Sequence, residues 1–189
     1  MADLPTIPFE SAEAFERWLA ENHETAPGVW LKLAKKGSGI PSVTFAEALD
    51  AALCYGWIDG QAASADEAFY RQRFVPRRPR STWSKRNREN VARLTEAGRM
   101  QPAGLRQVEL AKADGRWEAA YDPPSTATVP DDLRAALDRN PAAAELFASL
   151  DAQNRYAILH RVQTARRPET RARRIDAFVA MLGEGKKLY

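Results

Sequence analysis

The sequence predicts an α+β fold, in which a small antiparallel sheet packed with helices is followed by a C-terminal all-helical module. Apolar and polar residues alternate, as in half-buried strands, only before residue 76. Beyond residue 131 the apolar residues recur only at helical spacing. A proline-rich stretch, residues 122–130, separates the two patterns and predicts a linker. We therefore expect an α+β domain over residues 1–121 and a helical module over residues 131–189.

The first domain begins with local signals for helix, strand and helix. Ser11 is a favourable N-cap residue ahead of an apolar stripe, which predicts the first helix. Residues 29–36 (VWLKLAKK) alternate like a half-buried strand. Thr44 and Glu47 have the spacing of a capping box, which predicts a second helix.

Two further strands are predicted to form an antiparallel pair. Residues 54–60 (CYGWIDG) are typical of a short buried strand that ends in an Asp-Gly turn. Residues 68–75 (AFYRQRFV) alternate again, and Pro76 and Pro79 then end regular structure because proline lacks an N–H donor. Pairing of the two strands would bring Asp59 close to the arginines that follow Pro76.

Helices account for the remaining predicted elements. Ser84 predicts the N-cap of one helix, and Pro102 predicts the first turn of the next. Beyond the linker, apolar spacing predicts four short helices, which are interrupted at Pro141 and near Pro168 and end at Gly183.

Positive charge is concentrated in two segments. Residues 71–88 (RQRFVPRRPRSTWSKRNR) contain eight Lys or Arg and no carboxylate, and residues 161–174 contain six Arg and one Glu. The two segments carry +13 together, so with a net charge of +3 the rest of the chain sums to −10. Such segregation attracts anions, and the hydroxyls, amide and indole of the first segment indicate recognition as well. A solvated, salt-bridged basic face is the alternative interpretation.

Several functional classes lack their sequence signatures. The chain has one cysteine, Cys54, and two distant histidines, His23 and His160, so zinc-type ligand spacing is absent. P-loop, G-x-G-x-x-G and G-x-S-x-G motifs are also absent. No apolar run approaches the roughly 20 residues that span a bilayer, and the N-terminus shows no signal-peptide pattern. We therefore expect a cytoplasmic protein without a metal or a cofactor.

Three stretches resemble those of a known family. Residues 52–60 (ALCYGWIDG) resemble the ALC-(Y/F)-GWIDG signature of the YdeI/OmpD-associated proteins. Residues 74–87 are similar to that family's F-x-PRR-x-x-S-x-WS-x-x-N pattern, and residues 129–175 are similar to its terminal helical module. The resemblance implies a bacterial protein linked to bacteriocin protection or envelope stress. It implies no particular reaction, cofactor or catalytic residue.

The candidate site combines these motifs with the predicted strand pair. Arg77 and Arg78 supply planar guanidinium groups that suit carboxylate or phosphate. Hydroxyls and backbone N–H groups at the start of the next helix would complete an anion site. We therefore expect a small anionic ligand. The predicted ligand-binding residues are Trp57, Asp59, Arg77, Arg78, Ser81, Trp83, Ser84 and Asn87.

Each part of this hypothesis has an alternative. Asp59 is the candidate acid or base if the protein is an enzyme, and the alternative interpretation is a turn residue or a salt-bridge partner of the arginines. Ser84 can be a plain N-cap, and Trp83 can be a core residue. Nucleic acid, held by both basic segments, is the alternative partner, although no nucleic-acid-binding motif is present.

Overall fold

The computed structural model describes residues 4–189, which divide into two compact units. Unit 1 comprises residues 4–81 and 87–118, and unit 2 comprises residues 82–86 and 119–189. Unit 1 contains a four-stranded sheet with helices, and unit 2 contains helices almost exclusively. The predicted α+β class is confirmed.

The elements follow the chain in the predicted order, with one additional strand at the beginning. The first eight are β1 (Thr6–Pro8), α1 (Ala12–Asn22), β2 (Val29–Ala34), α2 (Phe45–Cys54), β3 (Trp57–Ser64), β4 (Phe69–Pro76), α3 (Lys85–Glu96) and α4 (Pro102–Ala113). The first two residues of α3 belong to unit 2.

The sheet has the strand order β1-β2-β4-β3 and is mixed. Strands β2 and β3 both pair antiparallel with β4, and Trp57 lies opposite Pro76, as the sequence predicts. Strand β1 pairs parallel with β2, which places Ile7 opposite Leu31. The predicted antiparallel sheet thus has one additional parallel edge strand, which the sequence does not show because three residues are too few for an alternating pattern.

The Asp59-Gly60 dipeptide does not form the predicted turn. Strand β3 continues through it to Ser64, and the register with β4 shifts between Asp59 and Ala62. The Gln72 side chain donates to the Gly60 carbonyl at 2.8 Å, which satisfies a carbonyl group that the irregular register removes from the ladder. The hairpin closes later, where Asp66 Oδ1 accepts from two backbone N–H groups.

The helix caps of unit 1 form as predicted. The Ser11 side chain accepts from Ala14 N at 3.3 Å and begins α1. Thr44 and Glu47 form both bonds of a capping box at the start of α2. These caps depend on residues three positions apart, so the sequence pattern is sufficient to predict them.

Helices α1 and α2 cover one face of the sheet. The Phe15 and Phe45 rings lie 5.7 and 6.3 Å from the Phe74 ring of β4. Helix α4 then packs against the end of α2 through Gly104, where a Cβ atom would lie 2.2 Å from the Cys54 carbonyl oxygen. This contact requires a residue without a side chain.

Unit 2 contains four helices around one apolar core. They are α5 (Asp131–Asp138), α6 (Pro141–Ser149), α7 (Ala152–Gln163) and α8 (Pro168–Gly183). Prolines begin α6 and α8, because a first-turn proline has no hydrogen bond to lose, and the breaks lie where Pro141 and Pro168 predict them. The core includes Leu133, Leu137, Phe147, Ile158, Leu159, Val162, Ile175, Phe178 and Leu182.

Residues 82–86 join unit 2 through short backbone pairing. Tyr121 N donates to Trp83 O at 3.0 Å, and Lys85 N donates to Tyr121 O at 2.9 Å. Lys85 Nζ lies 2.5 Å from Asp122 Oδ1, and Gln163 Nε2 donates to the other carboxylate oxygen. Isolated bridges of this kind have no alternating pattern of apolar and polar residues, so the sequence does not predict them.

Acid should destabilise unit 2 partly through Asp122. The hydrogen bond from Lys85 lowers the pKa of this carboxyl, although burial opposes the shift. Because the pKa is lower in the folded state than in the unfolded state, the ionised carboxylate stabilises the folded protein at any pH above the unfolded-state pKa of about 4. This stabilisation is lost as the pH falls through the folded-state pKa. We expect urea denaturation at pH 7 to give Asp122→Asn a free energy of unfolding about 1 kcal/mol below that of the parent. We also expect the free energy of unfolding of this variant to fall less steeply as the pH is lowered. Exposed Asp176→Asn is the control, and parallel acid profiles for Asp122→Asn and the parent would contradict the prediction.

Candidate functional site

The first basic segment contains a short ordered loop, residues 77–81, which we call the arginine loop. Strand β4 ends at Pro76, and Arg77 N then donates to Gly56 O at 3.0 Å. Gly56 has a φ of +75° and begins the turn into β3. The arginine loop is therefore attached to the end of the β3–β4 pair.

A β-turn organises the arginine loop. Ser81 N donates to Arg78 O at 2.9 Å, with Pro79 at the second position, where its restricted φ favours the turn. Arg78 N donates back to Ser81 Oγ at 3.0 Å. Ser81 thus holds the loop through its backbone and its hydroxyl.

Arg116 anchors this turn from outside the loop. Its side chain is 6% exposed, and its Nε donates to both carboxylate oxygens of Asp114, at 2.8 and 2.7 Å. Its Nη1 donates to Ser81 O at 2.9 Å. Arg116 lies outside both basic segments, so the charge pattern of the sequence does not indicate it.

The eight cations of the first basic segment lie on different elements of the chain. Arg71 and Arg73 lie on the strand β4, and the last three cations lie in α3. Within the arginine loop Arg77 is 6% exposed, whereas Arg78 and Arg80 are exposed. The loop therefore presents two guanidinium groups to solvent and holds a third largely within the protein.

The strand-end residues of the predicted site have different environments. Trp57 is 1% exposed, and its indole N–H donates to His23 O at 3.1 Å, so this side chain belongs to the core of unit 1. Asp59 is half-buried and lies opposite Phe74 in the β3–β4 register. The predicted pairing of residues 57–59 with the end of β4 is confirmed.

The remaining predicted site residues are divided between the units. Asn87 is buried in α3 within unit 1, whereas Trp83 and Ser84 are buried in unit 2. Ser84 directly precedes α3 and forms a parallel bridge with Tyr121. Within unit 1 the structure thus groups Trp57, Asp59, Arg77, Arg78 and Ser81 along one end of the β3–β4 pair.

The second basic segment forms hydrogen bonds inside unit 2. Arg171 donates to both carboxylate oxygens of Asp132, at 2.6 and 2.8 Å, and this hydrogen bonding lowers the pKa of Asp132. Arg174 Nη1 donates to Arg161 O at 2.5 Å, and Arg161 Nη1 donates to a carbonyl one turn earlier. At least three of the six arginines therefore contribute to the structure of unit 2.

Cys54 has the properties of a core residue. It is the last residue of α2 and is 1% exposed, and burial raises the pKa of its thiol to about 11. A thiol with such a pKa is protonated at neutral pH and is a poor nucleophile. Across residues 4–189, no three His, Cys, Asp or Glu side chains are grouped as a metal site. In the same range, no helix combines the length and the apolar character of a membrane span.

Two family profiles match the chain. The first is described as a domain of unknown function, DUF8412, and matches residues 7–107, more than half of the chain. The second is described as bacteriocin-protection, YdeI or OmpD-associated, and matches residues 126–185. No curated protein and no solved structure matches the chain. The resemblance to the YdeI/OmpD-associated family is confirmed for the C-terminal residues, whereas the GWIDG motif lies within the DUF8412 match.

Proposed function

This chain belongs to the DUF8412 family and carries a bacteriocin-protection, YdeI or OmpD-associated module, and we propose that its unit 1 binds a small anionic ligand at the arginine loop. The ordered β-turn from Arg78 to Ser81 carries the proposal. Because the turn and Arg116 fix the backbone, less conformational entropy is lost when a ligand binds.

The chemistry of the loop favours a phosphate or a carboxylate. Arg78 and Arg80 are exposed on either side of Pro79, so both planar donor groups are accessible to solvent. A guanidinium group donates two parallel hydrogen bonds to such an anion. Arg77 adds positive charge at the base of the loop, where reduced solvation strengthens electrostatic attraction.

A nucleic-acid partner has less support. Binding through both basic segments needs their arginines at the surface, but Arg161, Arg171 and Arg174 donate hydrogen bonds within unit 2. The first segment also divides its cations between a strand, the arginine loop and a helix. A small anion requires only the arginine loop.

We also propose a role in bacteriocin protection or envelope stress and a location in the cytoplasm. The YdeI/OmpD-associated match supports a link to bacteriocin protection. The buried free thiol of Cys54 supports a reducing compartment, and hence the cytoplasm. Asp59 stays a candidate acid–base group beside the ligand, to be assigned once a ligand is known.

Titration calorimetry with inorganic phosphate, pyrophosphate and citrate tests the proposed ligand site. We expect at least one of these anions to bind with a stoichiometry of one, and Arg78→Ala/Arg80→Ala to weaken it about tenfold. Arg139→Ala, an exposed arginine of unit 2, is the matched control. Thermal denaturation gives a second measurement, because a ligand at 100 times its Kd adds about 2.7 kcal/mol. Equal affinity in the double variant and the parent would rule out the arginine loop.

A further inference from the structure

Unit 1 contains an open groove at the opposite end of β4 from the arginine loop. It has a volume of about 600 Å³ and is lined by the loop that joins β2 to α2, by Phe45 of α2 and by Tyr70 of β4. We call it the lysine groove, because Lys35 and Lys36 lie on its lining. Its volume falls within the range of roughly 300–1,000 Å³ that is common for small-molecule sites.

Hydrogen bonds fix the base of the lysine groove. Lys35 N donates to Ala68 O at 2.8 Å, and Val43 N donates to Phe9 O at 3.0 Å. Between these points Ser42 Oγ accepts from Ala34 N and donates to Val43 O, both at 3.1 Å. The two ends of the connecting loop are therefore tied to the sheet, and the groove exists before any ligand binds.

The walls of the groove are apolar and aromatic. Phe45 is held by its contact with Phe74 in the core, and Val43 is 1% exposed at the base. Ile40 is 40% exposed at the edge, an unusual exposure for a large aliphatic side chain in this protein. Burial raises the pKa of the Tyr70 phenol, so its hydroxyl stays protonated and can donate a hydrogen bond. An apolar, planar group fits these walls.

The rim of the groove is cationic. Lys36 is exposed and forms no ion pair with a carboxylate among residues 4–189. Lys35 Nζ donates to the backbone carbonyl of Asp66 at 2.9 Å, whereas the carboxylate of Asp66 forms an ion pair with Lys32. After the two lysines the loop turns at Gly37 and Gly39 before it reaches Ile40. The φ values of these glycines, +86° and +70°, favour glycine over other residues. At both glycines the space around an added Cβ is empty, which leaves the groove open above the rim.

We propose that the lysine groove binds a small molecule with a planar apolar body and one acidic group. The body lies against Phe45 and Tyr70, and the acidic group contacts Lys36. Burial of an aromatic body supplies most of the affinity, and the ammonium group selects for the acid. This site shares no residue with the arginine loop, so the two proposals succeed or fail independently.

Amide chemical shifts of ¹⁵N-labelled full-length protein, titrated with 2-naphthoate, test the proposal. We expect saturable shifts at residues 34–45 and in the neighbourhood of Tyr70, with an affinity that is independent of any shifts that the carboxylate group causes at the arginine loop. Two probes separate the contributions: 2-naphthalenemethanol has the body without the charge, and inorganic phosphate has the charge without the body. Each should bind the groove about tenfold more weakly than 2-naphthoate, or not measurably. No saturable shift from 2-naphthoate in the groove, or equal binding of the neutral alcohol, would overturn the proposal.

Two pairs of variants complete the test. Lys36→Gln should weaken 2-naphthoate about threefold to tenfold, whereas Lys187→Gln, an exposed lysine of unit 2, should not. Ile40→Ser should also weaken it, whereas Leu105→Ser should not, although Ile40 and Leu105 are 40% and 41% exposed. Arg78→Ala should leave 2-naphthoate binding in the groove unchanged. Equal losses in a variant and its control would show that the groove is not the site.

Discussion

Gly104→Ala should destabilise unit 1 by roughly 3 kcal/mol. The added Cβ would lie 2.2 Å from the Cys54 carbonyl oxygen and 2.7 Å from that of Leu53. Both atoms are backbone at the end of α2, so a rotamer change cannot relieve the clash, and α4 must move. Helix propensity alone predicts the opposite sign, because alanine is favoured over glycine inside a helix by about 1 kcal/mol.

Urea denaturation followed by circular dichroism measures this effect. Gly183→Ala is the matched control, since it lies in the last turn of α8 and the atoms nearest to its Cβ belong to the side-chain amide of Asn140. We expect a loss of about 1 kcal/mol there, because the side chain of Asn140 can shift but its Oδ1 also caps α6 through Ala143 N. If Gly104→Ala is as stable as the parent, α4 does not pack against α2 as closely as the distances at Gly104 require.

Arg116→Met should have the second largest effect, on stability and on ligand binding together. The variant removes three hydrogen bonds of a guanidinium group that is 6% exposed, and it leaves Ser81 O without its donor. We expect a loss of roughly 2 kcal/mol, because methionine retains much of the apolar packing. We also expect weaker anion binding at the arginine loop, although Arg116 itself need not contact the ligand.

Arg116→Lys separates charge from geometry. Lysine keeps the positive charge but lacks the planar donor group that contacts Asp114 and Ser81 together. Calorimetry with the best-binding anion should therefore show reduced affinity for both variants, and amide exchange should be faster at Ser81. Full retention of affinity in Arg116→Met would mean that the order of the β-turn does not depend on this anchor.

The sequence predicts those elements whose signals are local. The Ser11 cap and the Thr44–Glu47 capping box involve residues three positions apart, and the first-turn prolines Pro141 and Pro168 act within a single turn of helix. In these cases the interaction that stabilises the element lies within the pattern that predicts it.

The sequence fails where distant residues decide the outcome. The Asp59-Gly60 dipeptide favours a turn, but Gln72, which is 5% exposed on the neighbouring strand, donates to Gly60 O and accommodates an irregular register instead. Strand β1 depends on pairing with a strand more than twenty residues away, and its three residues contain no alternation. Pairing with a distant strand thus replaces the turn that the local sequence favours at Asp59-Gly60, and it forms a strand, β1, that the local sequence does not predict.

The same distinction between local and distant signals applies to the candidate site, whose role in ligand binding stays a prediction. Charge density indicated Arg77 and Arg78, and the paired motifs brought them to the end of β3 and β4. Aromatic character alone did not distinguish Trp57, a buried side chain, from a ligand-binding one. Arg116 was missed because its importance comes from a contact with Ser81, 35 residues earlier.

The backbone pairing of residues 82–86 with Tyr121 has a consequence for synthesis and for dissection of the protein. Unit 2 takes these five residues from the middle of the polypeptide that builds unit 1. On the ribosome, Trp83 and Lys85 therefore emerge well before Tyr121, the residue that bonds to both of them. No single cleavage point yields two complete fragments, since a cut after residue 118 leaves the first piece of unit 2 on the wrong side. A fragment that is to keep the pairing with Tyr121 needs residues 82–86 supplied in trans or grafted onto its N-terminus, whereas the apolar core of unit 2 contains none of these five residues.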